Sequence, residues 1–341
     1  MKKRNFDIFI VIFIIVASLF VKLNYDTVKV ESFTLIFLSV LLEAMPFILI
    51  GSIVSSIISV YVTTDMINKI IPKNKYLGIF LMSIVGFVFP LCECSIVPIT
   101  KGLMEKKLPK SMAIAFMLSV PVVNPIVFVS TYIAFQNLYM PVMRLVIGVI
   151  SGFIIGNLVE IFTKNDEIVI KDGISCSCGH DHHHHHDQIA ENSCNHHHHP
   201  DGKDCNNSPV IEVIQHSVGE FFNMGKYLIF GAFVSALIQS FFPSRTLLAY
   251  GQSRISSVLI MMLLAFILSV CSEADAFVAK SFTNLFTNGS ILSFLTYGPM
   301  VDIKNTFMIF GNFGKKFAIK LITIITAYHI ILGVILNLLG V

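Results

Sequence analysis

FVFPLCECSIVPITKGL, residues 87–103, sets a carboxylate between two thiols inside an apolar run bracketed by Pro90 and Pro98. Proline inside a helix removes a backbone donor and clashes with the preceding turn, so the stretch reads as a broken helix with free carbonyls. The chain around it is too apolar for a soluble domain. Of its 341 residues, 55% are hydrophobic and 13% charged, where a soluble domain carries roughly a quarter charged, and the mean hydropathy is +0.77. Within a bilayer, irregular backbone is tolerated only where protein or a water-filled cavity covers it. Residues 87–103 therefore predict a lined cavity inside an all-α polytopic membrane protein.

Apolar segments run over 6–23, 33–62, 77–100, 111–135, 139–163, 215–242, 256–279, 290–310 and 317–340, most of them near the ~20 residues that cross a bilayer. The first follows Met-Lys-Lys-Arg. Its apolar core exceeds a signal-peptide core and no small-residue cleavage site follows, so a retained helix is expected.

The two halves of the chain resemble each other. MPFILIGSIVSSIISVYV (45–62) aligns with GKYLIFGAFVSALIQSFF (225–242), GFVFPLCECSIVPITK (86–101) with AFILSVCSEADAFVAK (265–280), and VPVVNPIVF (120–128) with GPMVDIKNT (298–306). Common order and nearly constant offset point to an internal duplication, a frequent transporter plan. This gives residues 1–32 as an N-terminal helix and loop, 33–163 as a first permease repeat, 164–210 as a linker and 211–341 as a second repeat. If segment 77–100 crossed, Lys101, Lys106, Lys107 and Lys110 would lie opposite the basic N-terminus, against the positive-inside tendency. A re-entrant hairpin returns them to the side of Lys69, Lys73 and Lys75. The halves are then inverted, their broken or re-entrant helices meet at mid-membrane, and the N-terminus and linker are cytoplasmic in a multi-pass plasma-membrane protein.

A charged side chain at mid-membrane costs at least ~2.5–3.5 kcal/mol on insertion scales, so it is expected to face a partner or a pathway. Glu93 lies in the first broken segment. Glu273 and Asp275 lie in the second, in CSEADA, 271–276. With Cys92, Cys94 and Cys271 they form a candidate cation or proton site, and mixed oxygen and thiolate donors suit a borderline or soft metal. SVPVVNP (119–125) predicts breaks at Pro121 and Pro125 around Asn124, and YGPMVDIKN (297–305) one at Pro299, beside Asp302 and Lys304. Two residues apart, Asp302 and Lys304 fall on different helix faces and are not expected to pair. Lys304 instead balances the acidic group. The plainer readings are that the cysteines act as small hydrophobes, that the carboxylates pair with Lys101 and Lys280, and that Asn124 makes an interhelical hydrogen bond. Glu43 is a further polar intrusion.

The linker is of another kind. It carries Cys176, Cys178, His180, His182, His183, His184, His185, His186, Cys194, His196, His197, His198, His199 and Cys205. Imidazole and thiolate donors bind zinc, copper and nickel, so the tract is expected to bind divalent metal, zinc foremost, and to be disordered without it. No cofactor is required by the permease itself. No Cys-x-x-Cys pair has a spaced partner pair, which argues against a fixed zinc fold.

With FPLCECSIVPI, KGL and VPVVNP in view, the chain resembles the YraQ/ArsP family of predicted permeases over most of 33–340, with the histidine tract as an insertion. The resemblance implies a membrane-embedded permease. Some members export trivalent organoarsenicals, which would give Cys92 and Cys94 the arsenical, and a separately encoded membrane partner subunit is implied. The single cysteine of CSEADA departs from that pattern. No G-x-x-x-x-G-K-[ST] phosphate loop occurs, so an ion gradient or partner is expected to supply energy. The expected function is movement of a divalent metal such as zinc, or of a trivalent arsenical. The alternative is a non-transporting membrane subunit or metal sensor. Neither an enzyme nor a nucleic-acid binder is expected.

Overall fold

The computed structural model describes residues 27–61, 74–88, 91–163, 209–241, 253–283 and 285–340, with positions 66 and 72. The first apolar segment, Pro90 and the whole histidine tract lie outside the described residues. The described chain is all helical: α1 (Thr27–Tyr61), α2 (Lys75–Val85), α3 (Glu93–Glu105), α4 (Lys110–Val123), α5 (Pro125–Phe135), α6 (Tyr139–Phe162), α7 (Pro209–Phe241), α8 (Arg254–Leu268), α9 (Asp275–Lys280), α10 (Asn288–Tyr297), α11 (Ile303–Asn312) and α12 (Lys315–Leu339). Helices α1, α4 with α5, α6, α7 and α12 are long and apolar enough to cross a membrane.

The remaining helices are short for a reason that packing makes plain. Gly78 of α2 lies against Met112 of α4 and Gly86 against Val120, so α2 and α4 run parallel. Parallel neighbours joined through α3 require the chain to turn back. The segment 75–105 is therefore a re-entrant hairpin that leaves by the face it entered. The same holds in the second half, where Ser257 of α8 touches Ser290 of α10 at 2.7 Å and Gly298 lies against Ala265. Helices α6 and α12 run antiparallel to these pairs: Lys75 bonds Glu160 at 2.7 Å, and Asn337 donates to the Arg254 carbonyl at 2.8 Å.

The two hairpins enter from opposite faces. Helix α1 runs parallel to α3, since Gly51 abuts Ser95 and Ser55 donates to the Pro98 carbonyl at 3.1 Å. Thus α1 ends on the face where the α2–α3 hairpin opens, which is also where α6 delivers the linker. Helix α7 starts at that face and runs antiparallel to α1, bringing Phe233 edge-on to Phe33 at 5.2 Å. It also runs antiparallel to α11, whose Gly311 lies against Tyr227 and whose Lys304 lies against Gly231. Helix α12 then leads away from the linker face, and Asn337, near its end, marks the face where the α8–α9 hairpin opens.

Two expected breaks are absent. Pro98 lies inside α3 and Pro121 inside α4. A proline costs its helix one hydrogen bond, and neighbouring helices can cover the freed carbonyl. Asn124 does break its helix. It stands before Pro125, which disfavours helical backbone at the preceding residue, and adopts φ −52°, ψ 134°.

Candidate functional site at the hairpin tips

The tips, residues 86–88 with 91–92 and residues 269–274, meet in the middle of the bundle. Each is shaped locally. At the first tip, Asn124 donates Nδ2–H to the Leu91 carbonyl at 3.2 Å and accepts from the Ile126 amide at 2.9 Å, tying the α4–α5 break to the turn before α3. At the second, Ser269 closes α8 with φ +45°, a left-handed backbone uncommon outside glycine. Its hydroxyl donates to the Phe266 carbonyl at 3.1 Å and accepts from the Ile303 amide at 3.1 Å. The α10–α11 break is thereby docked on this tip.

The charged side chains then connect across the halves. Glu93, in the first turn of α3 and 1% exposed, faces the Lys304 ammonium at 3.4 Å and accepts from the Ser272 hydroxyl at 3.3 Å. The same hydroxyl lies 3.4 Å from Glu273. Asp275 opens α9 and is gripped by Arg144 of α6 through two bonds of 2.8 and 2.7 Å. Arg144 also donates to the Ser272 carbonyl at 3.2 Å and to Thr131 of α5 at 3.0 Å. The Cys271 thiol donates to Glu43, exposed on α1. Cys92, Cys94 and Cys271 are buried free thiols, with Cys92 Sγ 3.7 Å from the Ser95 hydroxyl.

Glu93, Glu273 and Asp275 thus lie in one network, joined through Ser272, with Cys271 beside it and Lys304 and Asp302 at its edge. One expectation is corrected: Lys304 Nζ lies 3.5 Å from Asp302. Asp302 is the N-cap, with extended backbone at φ −130°, ψ −179°, so the face rule for residues within a helix does not apply to it. The carboxylates do not pair with the two lysines named as their plainer partners. Lys101 lies 3.7 Å from Glu105, and Lys280 stands over the Phe135 ring at 5.4 Å. Among the described residues no three His, Cys, Asp or Glu side chains form a metal-binding group. The linker candidates from Cys176 to Cys205 lie outside the described residues.

The sequence reading passed over Arg144 and Ser272. A signal existed for the first, because Arg144 is the one basic residue in the apolar span 139–163, and an intramembrane arginine demands a partner. Ser272 carried none. On the linker side of the tips, between α1, α3 and α7, lies a cavity of about 130 Å³ lined by Ser55, Ser56, Lys101, Glu105, His216 and Glu220 among others.

Residues 29–338 match the family designated ArsP_1 and described as a predicted permease. The chain is 43% identical over 291 residues to "UPF0718 protein YcgR" of Bacillus subtilis (strain 168), covering 85% of this chain and 92% of that protein. It is 41% identical over 304 residues to a Streptococcus mutans serotype c (strain ATCC 700610 / UA159) protein named "Putative two-component membrane permease complex subunit", covering 88% and 94%. No solved structure matches at a significant level.

Proposed function

The chain belongs to the predicted permease family that it matches from residue 29 to residue 338, and we propose that it moves a small metal-containing solute through the point where its hairpin tips meet. The solute is a divalent metal such as zinc or a trivalent arsenical. What supports this reading is the ionic network of Glu93, Lys304, Ser272 and Glu273, contributed by both halves at mid-depth. A static core would be more stable with apolar residues there, since buried ion pairs often return less than their desolvation costs. Two halves rocking about such a site give alternating access. Glu93, Glu273 and Asp275 bind or relay cation and proton. Cys92, Cys94 and Cys271 supply soft ligands, and Asn124 holds the tip in register.

Duplication of the halves forms part of this proposal, and the matched placement of the hairpins supports it. Orientation follows from charge. The linker face carries Lys75, Lys106, Lys107, Lys110, Lys315 and Lys316, against Arg254 and Lys280 toward the other, so the positive-inside tendency makes the linker face cytoplasmic in a plasma membrane. The His/Cys-rich linker, placed there, binds zinc and delivers or buffers it at the 130 Å³ cavity.

Flux into proteoliposomes tests the reading, with 65Zn2+ and a radiolabelled methylarsenite as probes. The expected result is saturable uptake of one of them, lost in a Glu93→Gln, Glu273→Gln double variant. Uptake unchanged in that variant removes the site. A second reading, favoured by the name of the Streptococcus mutans relative, is that the chain works as one subunit of a two-component permease. In that case, uptake appears only on co-reconstitution with its partner.

A further inference from the structure

Three polar stripes face one space on the linker side of the tips. Ser55 and Ser59 of α1, Lys101 and Glu105 of α3, and His216, Glu220 and Asn223 of α7 line the cavity of about 130 Å³. Within each helix these residues stand three or four apart and so share a face. The cavity has room for an ion together with several waters, since one water needs only about 10–15 Å³ of such space.

The walls of this cavity offer acceptors. Ser55 spends its hydroxyl hydrogen on the Pro98 carbonyl at 3.1 Å, and Ser56, also in the lining, spends its own on the Ser52 carbonyl at 2.7 Å. Both oxygens therefore keep only lone pairs for a guest. Glu220 Oε1 is buried and has no hydrogen-bond partner among the described residues, and native proteins leave few such atoms unpaired. Charge points the same way. Two carboxylates face one ammonium, that of Lys101, which is 2% exposed and stands 3.7 Å from Glu105, beyond the 2.7–2.9 Å or so of a charge-assisted bond. The C-terminal end of α3, at Glu105, adds about half a negative charge. Pro209 opens α7 about two turns before His216, beyond the one turn over which a helix end acts, so the positive end of α7 does not reach the cavity. What the space lacks is a cation that donates hydrogen bonds.

We propose that this cavity holds a divalent metal ion that keeps its water shell, gripped through those waters by Glu105, Glu220 and the serine oxygens. The acceptors are spread around the space, and among the described residues no three metal-ligating side chains close into a set. Waters bound to an ion present O–H donors, and a wall of separated acceptors meets them where it could not surround a bare ion. Lys101 opposes the ion and keeps the binding weak, as a site on a conduction path requires. The inference deepens the permease reading, in which the linker hands metal to this cavity. Its service as a waiting station rests on that reading, but the binding itself does not.

Hexaamminecobalt(III) is the probe that tests this. Its ammines donate hydrogen bonds as bound waters do, and they exchange too slowly for the imidazoles and thiolates of the linker to replace them. The purified full chain in detergent is dialysed against it and bound cobalt is counted by mass spectrometry. Wild type is expected to bind it saturably, with displacement by magnesium and not by methylammonium at equal ionic strength. Glu220→Gln is expected to weaken binding about tenfold, or ~1.4 kcal/mol, and Lys101→Met to tighten it by a similar factor. Ser59→Leu, which fills the cavity and alters no charge, is expected to abolish binding while the protein still elutes as the folded species. Absence of saturable binding in wild type overturns the proposal, as does binding that Glu220→Gln and Ser59→Leu leave unchanged. Displacement by methylammonium as readily as by magnesium overturns the choice of a hydrated metal in favour of an organic cation. Weaker binding in Lys101→Met overturns the role given to the ammonium. Binding in a chain that carries no flux would sink the waiting role and leave the site standing.

Discussion

Arg144 and Lys304 each reach from one half of the chain to a carboxylate at the tip of the other, with unequal grip. Arg144 holds Asp275 through both guanidinium arms and is 1% exposed. Arg144→Met is expected to lower unfolding stability by about 3–5 kcal/mol, because it strands a buried carboxylate. Adding Asp275→Leu is expected to recover most of the loss. Thermal unfolding in detergent measures both, and a single variant as stable as wild type would remove the pair from the account. Lys304 is held less closely, 3.4 Å from Glu93 and 3.5 Å from Asp302. Asn124→Ala removes the cap on the Ile126 amide, and a loss of about 1 kcal/mol is expected. Glu93, Glu273 and Asp275 were legible in the sequence because each is a charge in an apolar run. Arg144 was equally legible, as the one basic residue of its apolar span. Ser272 was not legible, since a hydroxyl between two carboxylates shows itself only in space.

Among the elements, proline proved a weaker mark of a broken helix than its surroundings. The α4–α5 break sits at Asn124-Pro125, where a residue that caps well precedes the proline. Pro98 and Pro121 are carried within helices. Pro98→Ala is accordingly expected to leave stability unchanged or raise it, and to leave the proposed uptake intact. A collapse of stability would mean that this proline shapes the tip. The contact of α1 with α3 is set by small residues, where Gly51 leaves no room for a side chain against Ser95. Gly51→Leu is expected to destabilise by several kcal/mol through overpacking of that seam, read as a lowered unfolding temperature. The re-entrant path was inferred from lysines that had to return to one face. The parallel run of α2 with α4, and of α8 with α10, leads to the same path from packing alone.

At the scale of the molecule, two hairpins entering from opposite faces bring the acids of a charged network together between the halves. Each half supplies acids to it, and each supplies a cation to the other. The most direct check is a cross-link between the tips. In a chain whose native cysteines are replaced by serine, with a protease site set into the linker, Glu93→Cys and Ser272→Cys are treated with a short bifunctional thiosulfonate in membranes. The linker is then cut. Side chains 3.3 Å apart across the two halves predict one band of full length in denaturing gels, reversed by reductant, with two fragments from either single variant. Two separate fragments from the double variant, under conditions where both cysteines react with a monofunctional reagent, would contradict the meeting of the tips.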